Sequence, residues 1–454
     1  MSTEIFTVGS TPHAPLRVIC KKGEPGVYLL LDPDTPNWVI VDDLGRDIVD
    51  LCDGKRTLEE IIKTLCTKYG ELYEESVAYV LAFANELKTK EFLQEQKFPP
   101  CSSPDKKNKP LRSMWINVTN QCNLRCMHCH LSSGLPFQNE LTTEEIFQVI
   151  SDAAALGLKN LVVTGGEPLL HKDILRILEY GSQYADKMAL LTNGTLITEE
   201  IAEKLSDIGL QIQVSLDGTC EETHEFIRGK GSYRKALSGL ENLVKAGAQP
   251  LISMTILKGN LNEISEMADL AEKLGIKYLH FPILQIKGRA KENESVITLE
   301  DEDLVTATKK ILEISKTRDI EITVEKNFRD KIEKMQKKDF CEAGCSAVSI
   351  AADGKVYPCS ALHEDEFCAG HIRNQQLKDI WKESEVLHRF RSCSMLDTPE
   401  CKTCEIKFFC GSGCHVDRYF AHGRLDVPTP VCKAQKEIYW HLLSEKMKEA
   451  QVNL

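Results

Sequence analysis

Cysteine is the residue type with the most chemistry to offer in this chain, which has 18 cysteines among 454 residues. Three of them lie between Cys122 and Cys129, and most of the others lie between Cys341 and Cys432. The first 30 residues lack the apolar core of a signal peptide, so we expect a cytoplasmic protein. Clustered cysteines in that reducing compartment more often bind metal than form disulfides. The pattern therefore predicts metal sites.

The first group, Cys122, Cys126 and Cys129, places three thiols within eight residues on one loop. Iron–sulfur clusters normally take four cysteines, so three would leave one iron open for a substrate or a cofactor. The same spacing also fits a structural zinc site in which His128 or His130 is the fourth ligand.

The second group is spaced as CxxC followed by intervals of five, three and seventeen residues, in the order Cys401, Cys404, Cys410, Cys414 and Cys432. Upstream, Cys341 and Cys345 precede a segment that runs from Gly354 to Cys359. Zinc also accepts four thiolates in CxxC frames, so two Cys₄ zinc ribbons are an alternative to iron–sulfur clusters here.

Alternating strands and helices from residue 112 to 325 would position the first group. The predicted strands are Met114–Val118, Asn160–Thr164, Met188–Leu191, Gln211–Ser215, Leu251–Thr255 and Tyr278–Phe281. The predicted helices are Thr143–Leu156, Lys172–Tyr184, Glu199–Ile208, Tyr233–Ala246 and Leu261–Leu274. Such units imply a parallel sheet with outer helices, whose ligands bind at the C-terminal ends of the strands. Helices at Asp301–Lys316, Phe328–Lys337 and Lys433–Lys448 complete the prediction.

A smaller unit precedes this region. Predicted strands at Arg17–Cys20, Val27–Leu31 and Trp38–Val41 are followed by predicted helices at Asp43–Cys52, Leu58–Tyr69 and Tyr73–Leu87, an order typical of a winged-helix domain. The third helix is acidic and the chain has a formal net charge of −12, and both facts argue against nucleic-acid binding. No uncharged apolar run approaches the roughly 20 residues of a membrane span.

Four motifs follow successive predicted strands. They are CxxxCxxC at Cys122–Cys129, then Gly165-Gly166-Glu167-Pro168, Thr192-Asn193-Gly194 and Ser215-Leu216-Asp217-Gly218. This series resembles the radical S-adenosylmethionine (SAM) family. The resemblance implies a partial (β/α)6 barrel and a [4Fe–4S] cluster on Cys122, Cys126 and Cys129, whose electron cleaves SAM to a hydrogen-abstracting 5′-deoxyadenosyl radical. It also implies SAM contacts by Gly165, Gly166, Glu167, Pro168, Asn193, Ser215 and Arg228.

The cysteine-rich segment resembles the SPASM extension of peptide-modifying members of that family, which holds two auxiliary [4Fe–4S] clusters. The expected total is therefore three clusters. The resemblance assigns the nearer auxiliary cluster to Cys341, Cys345, Cys359 and Cys414, and the farther one to Cys401, Cys404, Cys410 and Cys432. The family's core pattern needs only one cysteine ahead of Gly-x4-Cys, so either Cys341 or Cys345 could be the extra one. The nearer cluster would then have an open iron able to bind a substrate thiolate.

The N-terminal unit resembles the PqqD-like recognition element of ribosomal peptide maturases, in which a leader peptide adds a strand to the sheet edge. Together the resemblances imply an α/β enzyme that modifies a ribosomally made precursor peptide, with a cross-link such as a thioether as the product. They imply a reductase, flavodoxin or ferredoxin as the electron donor. We expect a PqqD-like domain at 1–98, a linker at 99–112, the barrel at 113–337, the SPASM domain at 338–435 and a C-terminal helix at 436–454.

Three other functions compete with this interpretation. A relative of the sulfatase maturases would make formylglycine, but that group has Asp after the Gly-x4-Cys cysteine, where this chain has Ser360. A porphyrin-modifying radical SAM enzyme would not need the N-terminal unit. A zinc-rich winged-helix regulator would be colourless, whereas an iron–sulfur protein would be brown. No role is assigned to Cys220 and Cys368.

Overall fold

The computed structural model describes residues 5–24, 26–99, 109–324, 328–335 and 341–451. Most of the predicted linker at 99–112 therefore lies outside the described residues, as does Cys101. In the described part of the chain, ten strands form one large sheet and three strands form a small one. None of the helices described is long and apolar enough to cross a lipid bilayer.

The N-terminal unit is a small antiparallel sheet followed by three helices. Its elements are β1 (Ile19–Lys22), β2 (Tyr28–Leu31), β3 (Trp38–Val41), α1 (Asp43–Leu51), α2 (Leu58–Tyr69) and α3 (Tyr73–Thr89). A capping box opens α2, since Glu60 N donates to Thr57 Oγ1 and Thr57 N donates to the Glu60 carboxylate. Leu30, Ile48 and Ile62 belong to a core of the unit's own. The predicted winged-helix-like order is confirmed.

The central region has the predicted parallel sheet with outer helices. Its strands are β4 (Ser113–Asn117), β5 (Asn160–Thr164), β6 (Lys187–Thr192), β7 (Gln211–Ser215), β8 (Leu251–Ser253), β9 (Tyr278–Phe281) and β10 (Glu321–Val324). Its helices are α4 (Thr143–Ala155), α5 (Ile174–Ser182), α6 (Glu199–Ile208), α7 (Glu221–Arg228), α8 (Tyr233–Lys245), α9 (Ile264–Leu274), α10 (Arg289–Glu292), α11 (Glu294–Ile297) and α12 (Asp301–Thr317). Each strand pairs in parallel with the next in chain order. The seventh strand, β10, and the helices α7, α10 and α11 are additions to the prediction.

The cysteine-rich segment continues the same sheet. Its elements are α13 (Phe328–Glu333), β11 (Ala347–Ile350), β12 (Lys355–Tyr357), β13 (Gly370–His371), α14 (Leu377–Glu383), α15 (Glu385–Ser392), α16 (Pro399–Lys402), α17 (Lys407–Cys410), α18 (His415–His422) and α19 (Cys432–Gln451). Strand β11 pairs in parallel with β4, with Ser349 opposite Trp115. The second cysteine group is therefore held against the first barrel strand, which also leads into the first group. The sequence did not predict these three strands.

Buried apolar residues on alternate strand positions fix the edge at which the motifs lie. Ile116, Val163, Leu190, Val214 and Ile252 are fully buried, one from each of five neighbouring strands. Burial of one such side chain contributes roughly 1.5–3 kcal/mol, so a change of strand register would be costly. The C-terminal ends of the strands, and the loops that leave them, are held in register by this core.

The N-terminal unit packs on the C-terminal region. Trp38 Nε1 donates to Ile332 O at 3.0 Å, and Lys21 Nζ lies 5.0 Å from the ring centroid of Trp440. A Cβ built on Gly23 would lie 2.6 Å from Met447 Cε, so β1 is in close contact with α19. Both edge strands of the small sheet thus take part in this packing, β1 through Lys21 and β3 through Trp38.

Candidate active site

The loop that carries the first cysteine group leaves the C-terminal end of β4 and is held by a hydrogen bond within the loop and by hydrogen bonds from Arg289. Cys122 N donates to Gly134 O at 2.9 Å. The buried Arg289, at the start of α10, donates from Nε to Cys126 O and from Nη1 to Ser133 O, both at 2.9 Å. One planar guanidinium with two carbonyl partners fixes the loop more firmly than a single bond would.

The three thiols of this loop lie close enough to interact electrostatically. Burial raises the pKa of the Cys126 thiol to about 11 against the lowering effect of Arg228, and Cys129 and Cys122 add to the rise. Arg228 Nη1 lies 3.8 Å from Cys126 Sγ. A cation beside a thiol favours the thiolate, which is the form that binds metal. The structure thus brings together the three residues that were predicted to hold the first cluster.

The donor set fits an iron–sulfur cluster with a ligand beside it. Among the described residues, no three His, Cys, Asp or Glu side chains converge tightly enough to hold one metal ion. A [4Fe–4S] cluster is held differently, by cysteine thiolates on its several irons. His128 Nδ1 is buried beside the thiols without a hydrogen-bond partner in the protein, which is the arrangement expected of a group that meets a polar ligand atom. The residues present therefore fit a cluster and SAM.

Arg228 and Asp217 form a buried ion pair beneath the thiols. Arg228 Nε lies 2.5 Å from Asp217 Oδ2, and Asp217 Oδ1 accepts from Thr255 N at 2.8 Å. Burial raises the pKa of Asp217, but Arg228 and His128 outweigh it, so the pKa is lowered overall. Burial lowers the pKa of His128 to about 4. The guanidinium lies between Asp217 and Cys126, and its predicted contact with the SAM carboxylate stays a prediction.

Glu167 of the GGEP motif is fully buried and is hydrogen-bonded within the protein. Its carboxylate accepts from Thr192 Oγ1 at 2.6 Å, from Asn193 N at 2.8 Å and from Leu169 N at 3.1 Å. Burial raises its pKa against these hydrogen bonds. The carboxylate therefore ties the end of β5 to the end of β6, and its predicted contact with the SAM amino group stays a prediction.

The two glycines of this motif are required by close packing against the cluster loop. A Cβ on Gly165 would lie 2.4 Å from Thr119 O, and one on Gly166 would lie 2.2 Å from Gln121 O. Gly165 also has a positive φ of 152°, which side chains rarely adopt. Gly166 N donates to Thr119 O at 2.8 Å. The resemblance implies that these glycines contact SAM, and the backbone that they approach in the structure is the start of the cysteine loop.

The remaining predicted SAM contacts lie at the same edge. Asn193 Nδ2 donates to Asn123 Oδ1 at 2.8 Å, which joins the end of β6 to the loop between Cys122 and Cys126. Pro168 is buried at the start of a short 3₁₀ turn, and Ser215 is half-buried at the end of β7. These placements are compatible with the predicted contacts, which no observation tests.

The nearer auxiliary site contains three thiols that act on one another. Burial raises the pKa of Cys359 to about 11, and Cys341 raises it further. Burial also raises the pKa of Cys414 well above its usual value, with contributions from Asp417, Cys341 and Cys359. Cys341, Cys359 and Cys414 therefore form one group.

Cys345 has a different environment. It is fully buried, and its Sγ donates to Phe390 O at 3.8 Å. The Cys345 thiol acts on the buried Arg391, whose pKa it raises against the lowering effect of burial. Arg391 Nε donates to Gly344 O. Cys341 and Cys345 therefore have different surroundings, and which of them holds the nearer cluster stays a prediction.

The farther auxiliary site brings together its four predicted ligands. Burial raises the pKa of Cys401 to about 12, and Cys410, Cys432 and Cys404 all add to the effect. The four thiols are contributed by α16, by the turn after it, by α17 and by the first turn of α19. Among the cysteines that have no assigned role, Cys220 is exposed and Cys368 Sγ donates to Gly370 O at 3.4 Å.

Sequence reasoning missed the segment between β9 and α10, which touches both cysteine regions. Arg289 holds the first loop, as described above. Gly288 has a φ of +57°, and a Cβ there would lie 2.7 Å from Cys129 O. Lys287 is buried and donates from Nζ to Ala361 O, two residues after Cys359, at 2.8 Å. The signal that could have identified this segment is Lys287-Gly288-Arg289, a glycine between two basic residues shortly after the end of β9.

A cavity of about 530 Å³ lies between the barrel and the cysteine-rich region. Its lining includes Ile256 and Ile283 beyond the ends of β8 and β9, and Val416 and Phe420 on α18. Leu284, which also lines it, packs in the cluster that includes Met127 of the first cysteine loop. The cavity is therefore adjacent to both cysteine regions.

Three family models match the chain. The radical SAM superfamily model matches residues 116–274, the SPASM model, described as an iron–sulfur cluster-binding domain, matches residues 341–405, and the model of coenzyme PQQ synthesis protein D (PqqD) matches residues 28–93. The matches follow the three regions of the fold in order. They also displace the reading of the chain as a zinc-rich regulator.

Relatives with different products resemble the chain. An AdoMet-dependent heme synthase of Methanosarcina barkeri is 33% identical over 344 residues, which are 72% of this chain and 97% of the relative. The subtilosin biosynthesis protein AlbA of Bacillus subtilis is 28% identical over 397 residues, 82% of this chain and 84% of the relative. SuiB of Streptococcus suis, solved with its precursor peptide SuiA, has the same fold, with a TM-score of 0.61 and 16% identity over 93% of this chain and 100% of SuiB.

The first thiol group lies on the loop that leaves the end of β4, and the similarity to the heme synthase extends over nearly the whole length of that relative. Iron–sulfur clusters and SAM are thus the cofactors of the domains present. This chain belongs to the radical SAM superfamily, as an enzyme with a SPASM domain and a PqqD-like domain that is homologous to peptide maturases.

Proposed function

We propose that this enzyme modifies a ribosomally synthesised precursor peptide and that the product is an intramolecular cross-link such as a thioether. The observation that carries the proposal is the PqqD-like sheet joined to the catalytic chain, because a strand-docking surface suits a peptide better than a small molecule. Similarity to AlbA, a bacteriocin biosynthesis protein, supports it. So does the likeness in fold to SuiB, which was solved with a precursor peptide.

The leader of that peptide would add to β3. Among the described residues, no strand pairs with the outer edge of β3. On α3, the ring of Tyr79 stacks on Phe83, with centroids 6.4 Å apart, and Tyr79 is 47% exposed. Burial raises the pKa of Tyr79, and Asp42, the residue after β3, adds to the rise. The aromatic pair therefore lies near the end of β3, where it would contact apolar side chains of an added strand.

Charge suggests the chemistry of the leader. Asp42, Glu71 and Glu86 all act on Tyr79, and Glu74 and Glu75 lie in the first turn of α3. An acidic surface around an exposed aromatic ring favours a segment in which apolar residues alternate with Lys or Arg. We propose a leader of that composition.

When bound, SAM and the cluster at Cys122, Cys126 and Cys129 would supply a 5′-deoxyadenosyl radical. The protein's own residues have separate tasks. Arg228 places a positive charge beside the thiolates, and Asp217 holds Arg228 in place. Arg289 fixes the loop that carries the three thiols, so that they would stay in place to hold a cluster.

The atoms and electrons of thioether formation balance. One C–H bond and one S–H bond of the peptide are replaced by one C–S bond. The carbon-bound hydrogen leaves as a hydrogen atom and ends on 5′-deoxyadenosine. The thiol hydrogen leaves as a proton, and the remaining electron equals the one that was used to cleave SAM. The peptide loses two hydrogens, and one SAM yields one methionine and one 5′-deoxyadenosine.

We propose three [4Fe–4S] clusters. The first is held by Cys122, Cys126 and Cys129, and the farther auxiliary one by Cys401, Cys404, Cys410 and Cys432. For the nearer one we propose Cys341, Cys359 and Cys414, which interact in the fold, with Cys345 as a core residue. An iron of that cluster would then be open to a thiolate of the substrate. The electron for SAM cleavage would come from a reductase, flavodoxin or ferredoxin.

A second candidate is modification of an iron porphyrin. The specific observation in its favour is the 33% identity with an AdoMet-dependent heme synthase. The cavity of about 530 Å³ beside the two cysteine regions is of the size that small-molecule ligands occupy. The similarity to AlbA extends over 397 residues, whereas the similarity to the heme synthase extends over 344. Because the longer similarity is to a bacteriocin biosynthesis protein, it favours a peptide as the substrate.

One experiment separates the two candidates. The anaerobically reconstituted enzyme is reduced with dithionite and incubated with SAM and either a synthetic precursor peptide or an iron coproporphyrin, and both are analysed by mass spectrometry. The peptide proposal expects a peptide lighter by two hydrogens and an unchanged porphyrin. A changed porphyrin together with an unchanged peptide would overturn it.

A further inference from the structure

Lys287 lies at the junction of two sites that the chain keeps apart in sequence. It belongs to the segment after β9, and the next residue, Gly288, packs against the carbonyls of Cys129 and His130. On its other side, Lys287 Nζ donates to Ala361 O at 2.8 Å, which follows Cys359 by two residues. The backbone of this segment thus touches the first cysteine loop, and its ammonium touches the auxiliary one.

The ammonium is buried with a single carboxylate partner among the described contacts. The Lys287 side chain is 6% exposed, and its Nζ lies 2.9 Å from Glu364 Oε1. The second oxygen of that carboxylate, Oε2, is buried and has no hydrogen-bond partner. Lys287 Nζ also lies 5.5 Å from the ring centroid of Phe420. A buried cation in such surroundings is screened little by solvent, so its charge acts over several ångströms.

The charge of Lys287 reaches both thiol groups. Burial lowers the pKa of Lys287, while Glu364, Cys359 and Cys129 raise it. In return Lys287 lowers the pKa of Cys359, against the effects of burial and Cys341. The positive charge of Lys287 therefore acts on Cys129 of the first group and on Cys359 of the nearer auxiliary group.

From this geometry we infer that Lys287 is a positioning residue that places a fixed positive charge between the two clusters and raises the reduction potential of the auxiliary cluster held by Cys341, Cys359 and Cys414. The inference rests on the proposed function only in requiring that this auxiliary cluster is present. A nearby cation stabilises the reduced cluster, which carries one more negative charge, and net charge is one of the factors that set such potentials. A higher potential would help this cluster accept the electron that leaves the substrate.

The test measures potentials in a chain that cannot cleave SAM. Cys122, Cys126 and Cys129 are all changed to Ala, the auxiliary clusters are reconstituted, and each is followed by electron paramagnetic resonance in a redox titration. In this background, Lys287→Met removes the charge but keeps the length of the side chain. We expect one auxiliary midpoint to fall in Lys287→Met, to stay near the original value in Lys287→Arg, and to rise in Glu364→Gln.

Lys309→Met is the matched control, because Lys309 is a partly exposed lysine whose ammonium pairs with the carboxylate of Glu437 on α19. It should leave both midpoints unchanged. Unchanged midpoints in a fully iron-loaded Lys287→Met chain would overturn the inference. If the Lys287→Met chain does not retain its iron, the Glu364→Gln variant is the test. An auxiliary midpoint potential that does not rise in Glu364→Gln would also overturn the inference. A peptide that is unchanged in the assay described above would contradict the proposed function, but it would not alter these midpoint potentials.

Discussion

Arg228 and Asp217 form an ion pair, with Nε 2.5 Å from Oδ2, directly beneath the thiols of the first cysteine loop. The Asp217 side chain is fully buried and that of Arg228 is 9% exposed. The same guanidinium lies 3.8 Å from Cys126 Sγ. The ion pair thus links the SLDG motif after β7 to the loop after β4.

We predict that Arg228→Ala lowers the free energy of unfolding by about 3–5 kcal/mol, because it leaves a buried, unpaired carboxylate. It should also abolish SAM cleavage, since the thiolates lose their cation. Denaturant titration and the yield of 5′-deoxyadenosine measure the two effects. Arg234→Ala is the control, because Arg234 pairs with Glu221 at the exposed surface. This variant should change neither the free energy of unfolding nor the yield of 5′-deoxyadenosine. Wild-type cleavage in Arg228→Ala would contradict the assigned role.

We predict that Gly166→Ala displaces the cysteine loop, because the added Cβ would lie 2.2 Å from Gln121 O. The iron content per chain should fall by the amount of one cluster, while the auxiliary clusters stay. Gly134→Ala, in the same loop, has open space at its Cβ and should keep all of its iron. Iron analysis and Mössbauer spectroscopy distinguish the outcomes, and equal iron in both variants would show that the close packing is not required.

We predict different results for the two cysteines ahead of Gly354. Cys341→Ala should lose the nearer auxiliary cluster, because its thiol acts on Cys359 and Cys414. Cys345→Ala should keep that cluster and lose about 1–2 kcal/mol of stability through a small cavity in the core. Iron and sulfide analysis of both variants is the measurement. Loss of the cluster from Cys345→Ala alone would reverse the assignment.

The sequence predicted the elements better than their contacts. Asn160–Thr164 and Gln211–Ser215 were predicted with the bounds observed, because apolar residues and flanking turns mark these strands locally. The pairing of β11 with β4 joins residues more than 200 positions apart, and nothing in either segment specifies its partner. Cys345 was inseparable from Cys341 for the same reason, since the residues that surround its thiol, Phe390 and Arg391, are more than 40 positions away in sequence. The role of Lys287 depends on both loops at once.

We predict that Tyr79→Ala weakens leader binding about tenfold, equivalent to about 1.4 kcal/mol, because it removes apolar surface beside β3. Fluorescence anisotropy of a labelled leader peptide, with the full chain, gives the dissociation constant. Tyr184→Ala, on the distant α5–β6 connection, is the control, since Tyr184 is also a partly exposed tyrosine that contacts another aromatic ring. Equal affinities of the two variants for the leader peptide would show that α3 is not part of the binding surface.

The central claim is that Cys122, Cys126 and Cys129 hold a cluster with an open iron at which SAM is cleaved. Its most direct test is the production of 5′-deoxyadenosine by the reduced, anaerobically reconstituted chain with SAM, compared with Cys126→Ala. We predict equal amounts of 5′-deoxyadenosine and methionine from the wild type, and none from Cys126→Ala, although that variant keeps its auxiliary iron. No 5′-deoxyadenosine from a fully loaded wild-type chain, or the same yield from Cys126→Ala, would contradict the account.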